Sequence, residues 1–213
     1  PASAEALCVA IEELGERAAG LILEPLLQGA AGMRIVPVEF VQQARRLCDA
    51  YQLPLVADEV MTGFGRTGAM FACDRAGISP DVLCLAKGLT GGTLSLAATI
   101  ATEELFASFL HHERSRFFPH GHTFTANPIA CAVALASLKL CHVDAVPARL
   151  ERIGRGVFDQ LADLAGDERV ANLRHLGGMA AFDLVVPENR QGYLSDLTPQ
   201  LRYEALKQGV LLR

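Results

Sequence analysis

The sequence has no apolar run approaching the roughly 20 residues that span a bilayer, although 51% of its 213 residues are hydrophobic. A membrane span is therefore not expected, and the apolar content goes instead into a sizeable core. Positive charge is not in excess: 19 basic residues stand against 24 acidic ones, for a net charge of −5 with no basic stripe. That balance argues against a nucleic-acid partner. The six cysteines (Cys8, Cys48, Cys73, Cys84, Cys131 and Cys141) include no CxxC pair. Scattered this way, they read as reduced, mostly buried thiols of a cytosolic protein. A signal-peptide n-region and cleavage site are missing, so the expected location is cytoplasmic. There is no internal repeat and no low-complexity segment. The length suits one large domain, or one and a half. The chain opens on Pro1 and stops at Arg213 inside an apolar run, which reads as an internal piece of a longer protein.

What is present is organised around two short apolar runs that each end on a charge. Leu55–Val60 carries Asp58 and Glu59, and Asp81–Ala86 leads into Lys87. Read as strands, both are buried on both faces, as in a parallel sheet covered by helices. A helix is expected over residues 4–18 with Ser3 as N-cap, then a buried strand at Leu21–Pro25 ending in Glu24. A loop follows at Gln28–Gly32, and a helix begins after Pro37 and runs to about residue 52. Strand–helix–strand units of this kind are right-handed and parallel, so the class is α/β with a mostly parallel sheet. Leu96–Ala101 reads as a further strand, residues 103–110 as a helix, and His111–Phe118 as a surface or interface loop. Asn127 would cap a helix whose body, Ala130–Leu140, is apolar on nearly every side. Such a helix is buried by the core or by another subunit. The character changes around Asp144–Pro147. Beyond it comes a helix with a stripe of Leu150, Ile153, Val157, Leu161 and Leu164, then strands at Val170–Leu176 and Met179–Val185 around Gly177-Gly178. A helix at 199–208 and a strand start at Val210–Leu212 complete a smaller α+β unit.

Gly63, Gly65 and Gly68 match GxGxxG after a strand. A dinucleotide site needs a long helix straight after that motif and an acid closing the next strand. Here Gly77 and Pro80 interrupt, and Asp81 opens its strand, so the glycines read as a tight loop beneath a ligand. Ligands of open α/β sheets collect at the carboxyl ends of strands, where Asp58 and Lys87 would lie side by side. Lysine can form an imine with an aldehyde, and a carboxylate can keep a ring nitrogen protonated. Together they suit pyridoxal 5'-phosphate (PLP). A carboxylate about 4 Å from the ring nitrogen contributes roughly 4 kcal/mol at an effective dielectric of about 20, or about three pKa units. Freed from the imine, the lysine amine would be the base that moves the substrate proton. Glu59, next along the strand, points to the opposite face and cannot serve the same ring. Thr123, in the small-residue loop Gly121-His122-Thr123, offers hydroxyl and backbone N–H groups to a phosphate. Arg213 offers a bidentate fork to a carboxylate. Each has an ordinary alternative: a solvated lysine, an aspartate capping a helix or pairing with Arg66, a plain loop, a solvated arginine.

The runs Glu24–Met33, Ala57–Gly68 and Pro80–Gly92 resemble the class III, PLP-dependent aminotransferases, and the resemblance covers nearly the whole chain. Finer details resemble the branch of that class serving biotin biosynthesis: Gln28–Met33 after the Glu-Pro pair, Leu89–Leu96 after Lys87, and the His120–Phe124 loop before Asn127-Pro128. That branch moves the amino group of S-adenosylmethionine to 8-amino-7-oxononanoate, giving 7,8-diaminononanoate; some relatives use lysine as donor. The resemblance implies PLP-transferase fold type I. Residues 1–144 would form part of the cofactor-binding large domain and 145–213 part of a C-terminal small domain. It implies Lys87 as the catalytic lysine and Asp58 as the ring-nitrogen partner. His122 and Thr123 would reach the phosphate of the cofactor bound in the other subunit of a homodimer. Gly121 would line the substrate site, Arg213 would bind a substrate carboxylate, and Glu24 and Arg66 would stand behind the site or along the substrate channel. The family usually has proline where His122 stands, so a different loop shape is expected there. The family's first phosphate loop and ring-stacking aromatic belong to a part not in this sequence. Activity is accordingly expected of the longer protein and not of these residues alone. The competing readings are a class III enzyme acting on ornithine, GABA or an ω-amino acid, and a non-catalytic module of the same fold.

Overall fold

The computed structural model describes residues 3–186 and 197–212. Its centre is a four-stranded sheet in the order β1 (Leu21–Leu23), β4 (Leu55–Asp58), β5 (Val82–Leu85), β6 (Ala98–Ala101). The first three strands are parallel, and β6 runs antiparallel at the edge. The fold is thus α/β with a mostly parallel sheet. A two-residue pair, β2 (Leu27–Gln28) and β3 (Arg34–Ile35), closes the loop after β1.

The sheet has one covered face and one half-open face. Leu55 and Ala57 are fully buried on the first, each large aliphatic there contributing about 1.5–3 kcal/mol. On the second, Val56 and Asp58 are only half-buried, and Ile22, the register partner of Val56, is 66% exposed. The expectation of burial on both faces therefore holds for one face only: no described element covers Ile22. Helix α1 (Ala4–Leu14) is capped by the Ser3 hydroxyl, which accepts from the Ala6 N–H at 3.1 Å. Its α-helical part ends at Leu14, where Gly15 takes a positive φ of +53°, and a 3-10 turn carries the coil on through Arg17. Helix α2 (Val38–Ala50) follows Pro37 and buries Val41, Ala44 and Cys48. Its Arg45 holds Asp81 at 2.6 Å, and the same carboxylate oxygen accepts from the Leu55 N–H at 2.8 Å. This one acid ties helix α2, the start of β4 and the start of β5 together.

Two short helices, α3 (Ala72–Ala76) and α4 (Glu103–Ala107), precede the long α5 (Pro128–Val143), whose N-cap Asn127 accepts from Ile129 and Ala130. Ala134 and Leu138 of α5 join Phe64, Leu83, Leu85 and Ala98 in one apolar cluster. The outer face of α5 stays open, with Ile129, Leu135, Leu140 and Val143 all more than half exposed. Helix α6 (Val146–Gln160) leaves α5 at 68°, through Ala145 in left-handed conformation. Only part of the expected aliphatic stripe packs: Leu150 lies against Gly178. Gly154 is the buried residue while Ile153 and Val157 are about half exposed, because the helix lies so close to the Gly177-Gly178 turn that a Cβ at 154 would overlap that backbone. The turn joins β7 (Val170–Leu176) to β8 (Met179–Leu184), an antiparallel hairpin with a register shift between Ala171 and Arg174. Helix α7 (Leu197–Lys207) follows, and Val210–Leu212 forms no strand. Among the described residues no single helix is long and apolar enough to cross a membrane.

Candidate active site

The site is built on the turn that leaves β4. Asp58 is the last residue of that strand, and its Cα is paired with Cys84 of β5. Three residues beyond Cys84 stands Lys87, so acid and amine occupy the carboxyl ends of adjacent parallel strands. The 58–61 turn touches both. Asp58 Oδ1 accepts from the Val60 N–H at 3.0 Å, and Lys87 Nζ lies 3.9 Å from Met61 Sδ. Lys87 is exposed, and among the described residues it has no carboxylate partner. Its backbone sits at φ +45°, a left-handed conformation that costs a non-glycine residue about 1–2 kcal/mol. Gly88 makes the following turn possible, since a Cβ there would press on the Phe64 ring. Ser137 of α5 donates to the Gly88 carbonyl at 3.3 Å and braces the turn from outside.

Asp58 and Glu59, adjacent in sequence, divide their tasks by face. Glu59 is fully buried and accepts three hydrogen bonds: from Thr62 Oγ1 at 2.9 Å, Ala72 N–H at 2.7 Å and Cys73 N–H at 2.8 Å. It anchors the first turn of α3 and takes no part at the strand edge. Burial, and then the Glu59 charge, push the Cys73 thiol well above its ordinary range. On the opposite face burial pushes the Cys84 thiol up, with the Asp58 charge adding to it and a Thr99 hydrogen bond opposing it. Sequence reading missed Glu59 as an anchor and missed Met61 altogether. An acid beside another acid at a strand end was a usable signal for the first; an isolated methionine gave none for the second.

Glu24 and Arg66 reach the same turn indirectly. Glu24 Oε2 accepts from the Gly29 N–H at 3.0 Å, and Gly29 lies so close to Met61 that a Cβ there would sit 3.0 Å from Met61 Cγ. Arg66 Nη1 donates to the Met61 carbonyl at 2.9 Å. The glycines after β4 are placed differently from expectation. No long helix follows them, since α3 has five residues, which removes the dinucleotide reading. Nor do Gly65 and Gly68 form a floor under a ligand. Gly65 packs on Pro147 and Gly68 on Glu151, so this loop seats α6.

Gly121, His122 and Thr123 are not brought to the strand edge. They lie in the wholly exposed stretch 106–126, and the loop's hydrogen bonds are local: Phe124 N–H to His122 Nδ1 at 3.1 Å and His122 N–H to Thr125 Oγ1 at 3.0 Å. Arg213 lies outside the described residues. The residues present fit two parts of PLP. Among the described residues Asp58 Oδ2 has no hydrogen-bond donor and is open to a ring nitrogen, and the Lys87 amine, whose one hydrogen-bonding neighbour is Met61 Sδ, stands one strand away for the aldehyde carbon. The phosphate would have to be met by the exposed loop at 121–123 or by other chain.

A parallel sheet that presents an acid and an amine at the ends of neighbouring strands offers the two groups that PLP chemistry uses. Residues 2–213 match the family model of the class-III aminotransferases, and the chain belongs to that family. It is 48% identical over 199 residues to the adenosylmethionine-8-amino-7-oxononanoate aminotransferase of Synechococcus elongatus, covering 92% of this chain and 45% of that protein. To the enzyme of the same name from Geobacter sulfurreducens it is 48% identical over 169 residues, covering 78% of this chain and 37% of that one. The chain thus spans less than half the length of these relatives. Among solved structures, an amine transaminase from an uncultivated Pseudomonas species in its PLP-bound form superposes with a TM-score of 0.89 at 35% identity, covering 99% of this chain and 48% of that one. The adenosylmethionine-8-amino-7-oxononanoate aminotransferase of Methanocaldococcus jannaschii superposes with a TM-score of 0.87 at 34% identity, covering 99% and 50%.

Proposed function

We propose that the whole protein is a PLP-dependent transaminase that moves the amino group of S-adenosylmethionine to 8-amino-7-oxononanoate, giving 7,8-diaminononanoate. The observation that carries this reading is the placement of Asp58 and Lys87 at adjacent strand ends in a chain 48% identical to relatives bearing that name. PLP, when bound, supplies an electron sink for the charge left at the substrate carbon. Lys87 would hold the cofactor covalently, and its released amine would take the proton from the substrate carbon and pass it to the cofactor. Asp58 keeps the ring nitrogen protonated. Gly121 lines the substrate site, while His122 and Thr123 contact the phosphate of the partner subunit's cofactor. Arg213 binds a substrate carboxylate, and Glu24 and Arg66 support the 58–61 turn.

The protein acts as a homodimer. The support is the apolar surface left open along the loop and on α5, where Phe117, Phe118 and Phe124 are 67%, 61% and 70% exposed. Residues 1–144 form part of the large domain and 145–213 part of the small one, with the left-handed Ala145 as the joint. The six cysteines are all free thiols, which suits the reducing cytoplasm. A donor screen on the full-length protein tests the reading. Transfer from S-adenosylmethionine to the keto acid is expected, and transfer from ornithine or GABA in its place would overturn it.

A further inference from the structure

The β7–β8 hairpin carries a device that the catalytic reading does not use. Arg174 sits at the register shift of β7, beside Asn172, which is left-handed at φ +52°. A bulge of this kind re-aims a side chain. Asp183 of the facing strand holds both residues, accepting from Asn172 Nδ2 at 2.9 Å and from Arg174 Nη2 at 2.8 Å. Thus fixed, the guanidinium turns one edge toward the loop after β2. Its Nε donates to the Met33 carbonyl at 2.9 Å and its Nη2 to the Gly32 carbonyl at 2.5 Å. Gly32 and Met33 are consecutive left-handed residues, at φ +86° and +55°. The planar fork of arginine spans two neighbouring carbonyls, which the point-like ammonium of lysine does not.

The clamped loop leads to the site. Met33 N–H bonds to the Gly29 carbonyl, Gly29 abuts Met61, and Met61 Sδ is the neighbour of Lys87 Nζ. A second strut leaves the same hairpin: Gly178 N–H donates to the Arg66 carbonyl at 2.9 Å, and the Arg66 guanidinium holds the Met61 carbonyl. The hairpin therefore grips Met61 from two sides. We propose that Arg174 is a positioning residue that presses loop 29–33 onto Met61 and so fixes the seat of the Lys87 amine. The proposal deepens the transaminase reading and rests on Lys87 being the working amine.

The test compares wild type, Arg174→Met, Arg174→Lys and Asp183→Asn in the full-length protein. Two readouts need no turnover: amide hydrogen exchange, and the rate at which Lys87 is reductively methylated by formaldehyde and cyanoborohydride after PLP is stripped. In Arg174→Met, exchange across 29–35 and 59–63 should rise about tenfold while β4 and β5 stay protected, and Lys87 should methylate about threefold faster as Met61 moves away. Arg174→Lys, keeping one of two carbonyl contacts, and Asp183→Asn should fall between; where Arg174→Met does not fold, these two are read instead. Wild-type exchange at 29–35 with an unchanged Lys87 rate would overturn the proposal. So would loss of protection spread evenly over the molecule with Lys87 unaffected, the mark of a merely structural arginine. If wild type shows no amino transfer, the transaminase reading fails while both readouts still decide the role of Arg174.

Discussion

Replacing Glu59 by glutamine tests the division of labour between the two acids that close β4. The carboxylate is fully buried and accepts three bonds, two on Oε2 (Thr62 hydroxyl, Ala72 N–H) and one on Oε1 (Cys73 N–H). Glutamine has one carbonyl oxygen and one NH2 group, so its oxygen can replace Oε2, but its NH2 then faces the Cys73 N–H. One buried donor is left without an acceptor, at about 1–3 kcal/mol, and the two surviving bonds lose their charge assistance, at about half of 1.5–3 kcal/mol each. The sum is about 2.5–6 kcal/mol, against a total stability on the order of 5–15 kcal/mol. Urea unfolding of the full-length protein reads it. With a slope of about 2 kcal/mol per molar, the midpoint should fall by roughly 1–3 M with the slope unchanged. Thr62→Val, which removes one hydroxyl donor and leaves the carboxylate, should cost about 1 kcal/mol. Folded Glu59→Gln protein should keep its PLP spectrum, because Glu59 faces away from the strand edge that carries Asp58. A midpoint within about 0.3 M of wild type would refute the anchoring role.

Other outcomes follow from the same geometry. Burial alone would raise the Asp81 carboxyl, but the Leu55 N–H and Arg45 outweigh it and hold its pKa below the ordinary 3.8. Its contribution is therefore present above about pH 4 and lost as pH falls through the lower folded value. Asp81→Asn should cost about 1–3 kcal/mol at neutral pH, with the gap to wild type closing in acid unfolding below pH about 3.8. Gly177→Ala would drive a Cβ into the Arg66 carbonyl from a left-handed backbone at φ +59°, costing about 2–4 kcal/mol, read as a drop in Tm. Phe117→Asp with Phe118→Asp, both outside the core, should convert the proposed dimer to monomers on light scattering while shifting Tm by only a few degrees; a dimer that persists would remove this face from the proposed interface.

The sequence pattern showed β1, β4, β5 and β6 and the charges at the ends of the first three, because apolar runs bounded by turn residues are local signals; the short β2–β3 pair was not legible, and the strand start expected at Val210–Leu212 is absent. The β7–β8 hairpin around Gly177-Gly178 and the capping by Ser3 and Asn127 were legible for the same reason. Three further features depend on what packs against the element. The exposure of Ile22 reflects a sheet face that no described element covers, which strand composition cannot report. The packed face of α6 turned toward Gly154 because close approach of two backbones favours a residue that hydrophobic periodicity ignores. The glycines at 65 and 68 looked like a ligand cradle, yet they seat that helix. At the site, acid and amine were readable as strand-end charges, whereas Met61 and Arg174 act through tertiary contacts that span up to 142 positions along the chain.

The most direct measurement is borohydride reduction of the PLP-loaded full-length protein followed by peptide mapping. The pyridoxyl group should be found on Lys87, with Lys139 and Lys207, the other lysines of this chain, unmodified and the label lost in Lys87→Ala. A protein that stays colourless with PLP, or a label carried by any lysine other than Lys87, would contradict the pairing of Asp58 and Lys87 as the catalytic centre.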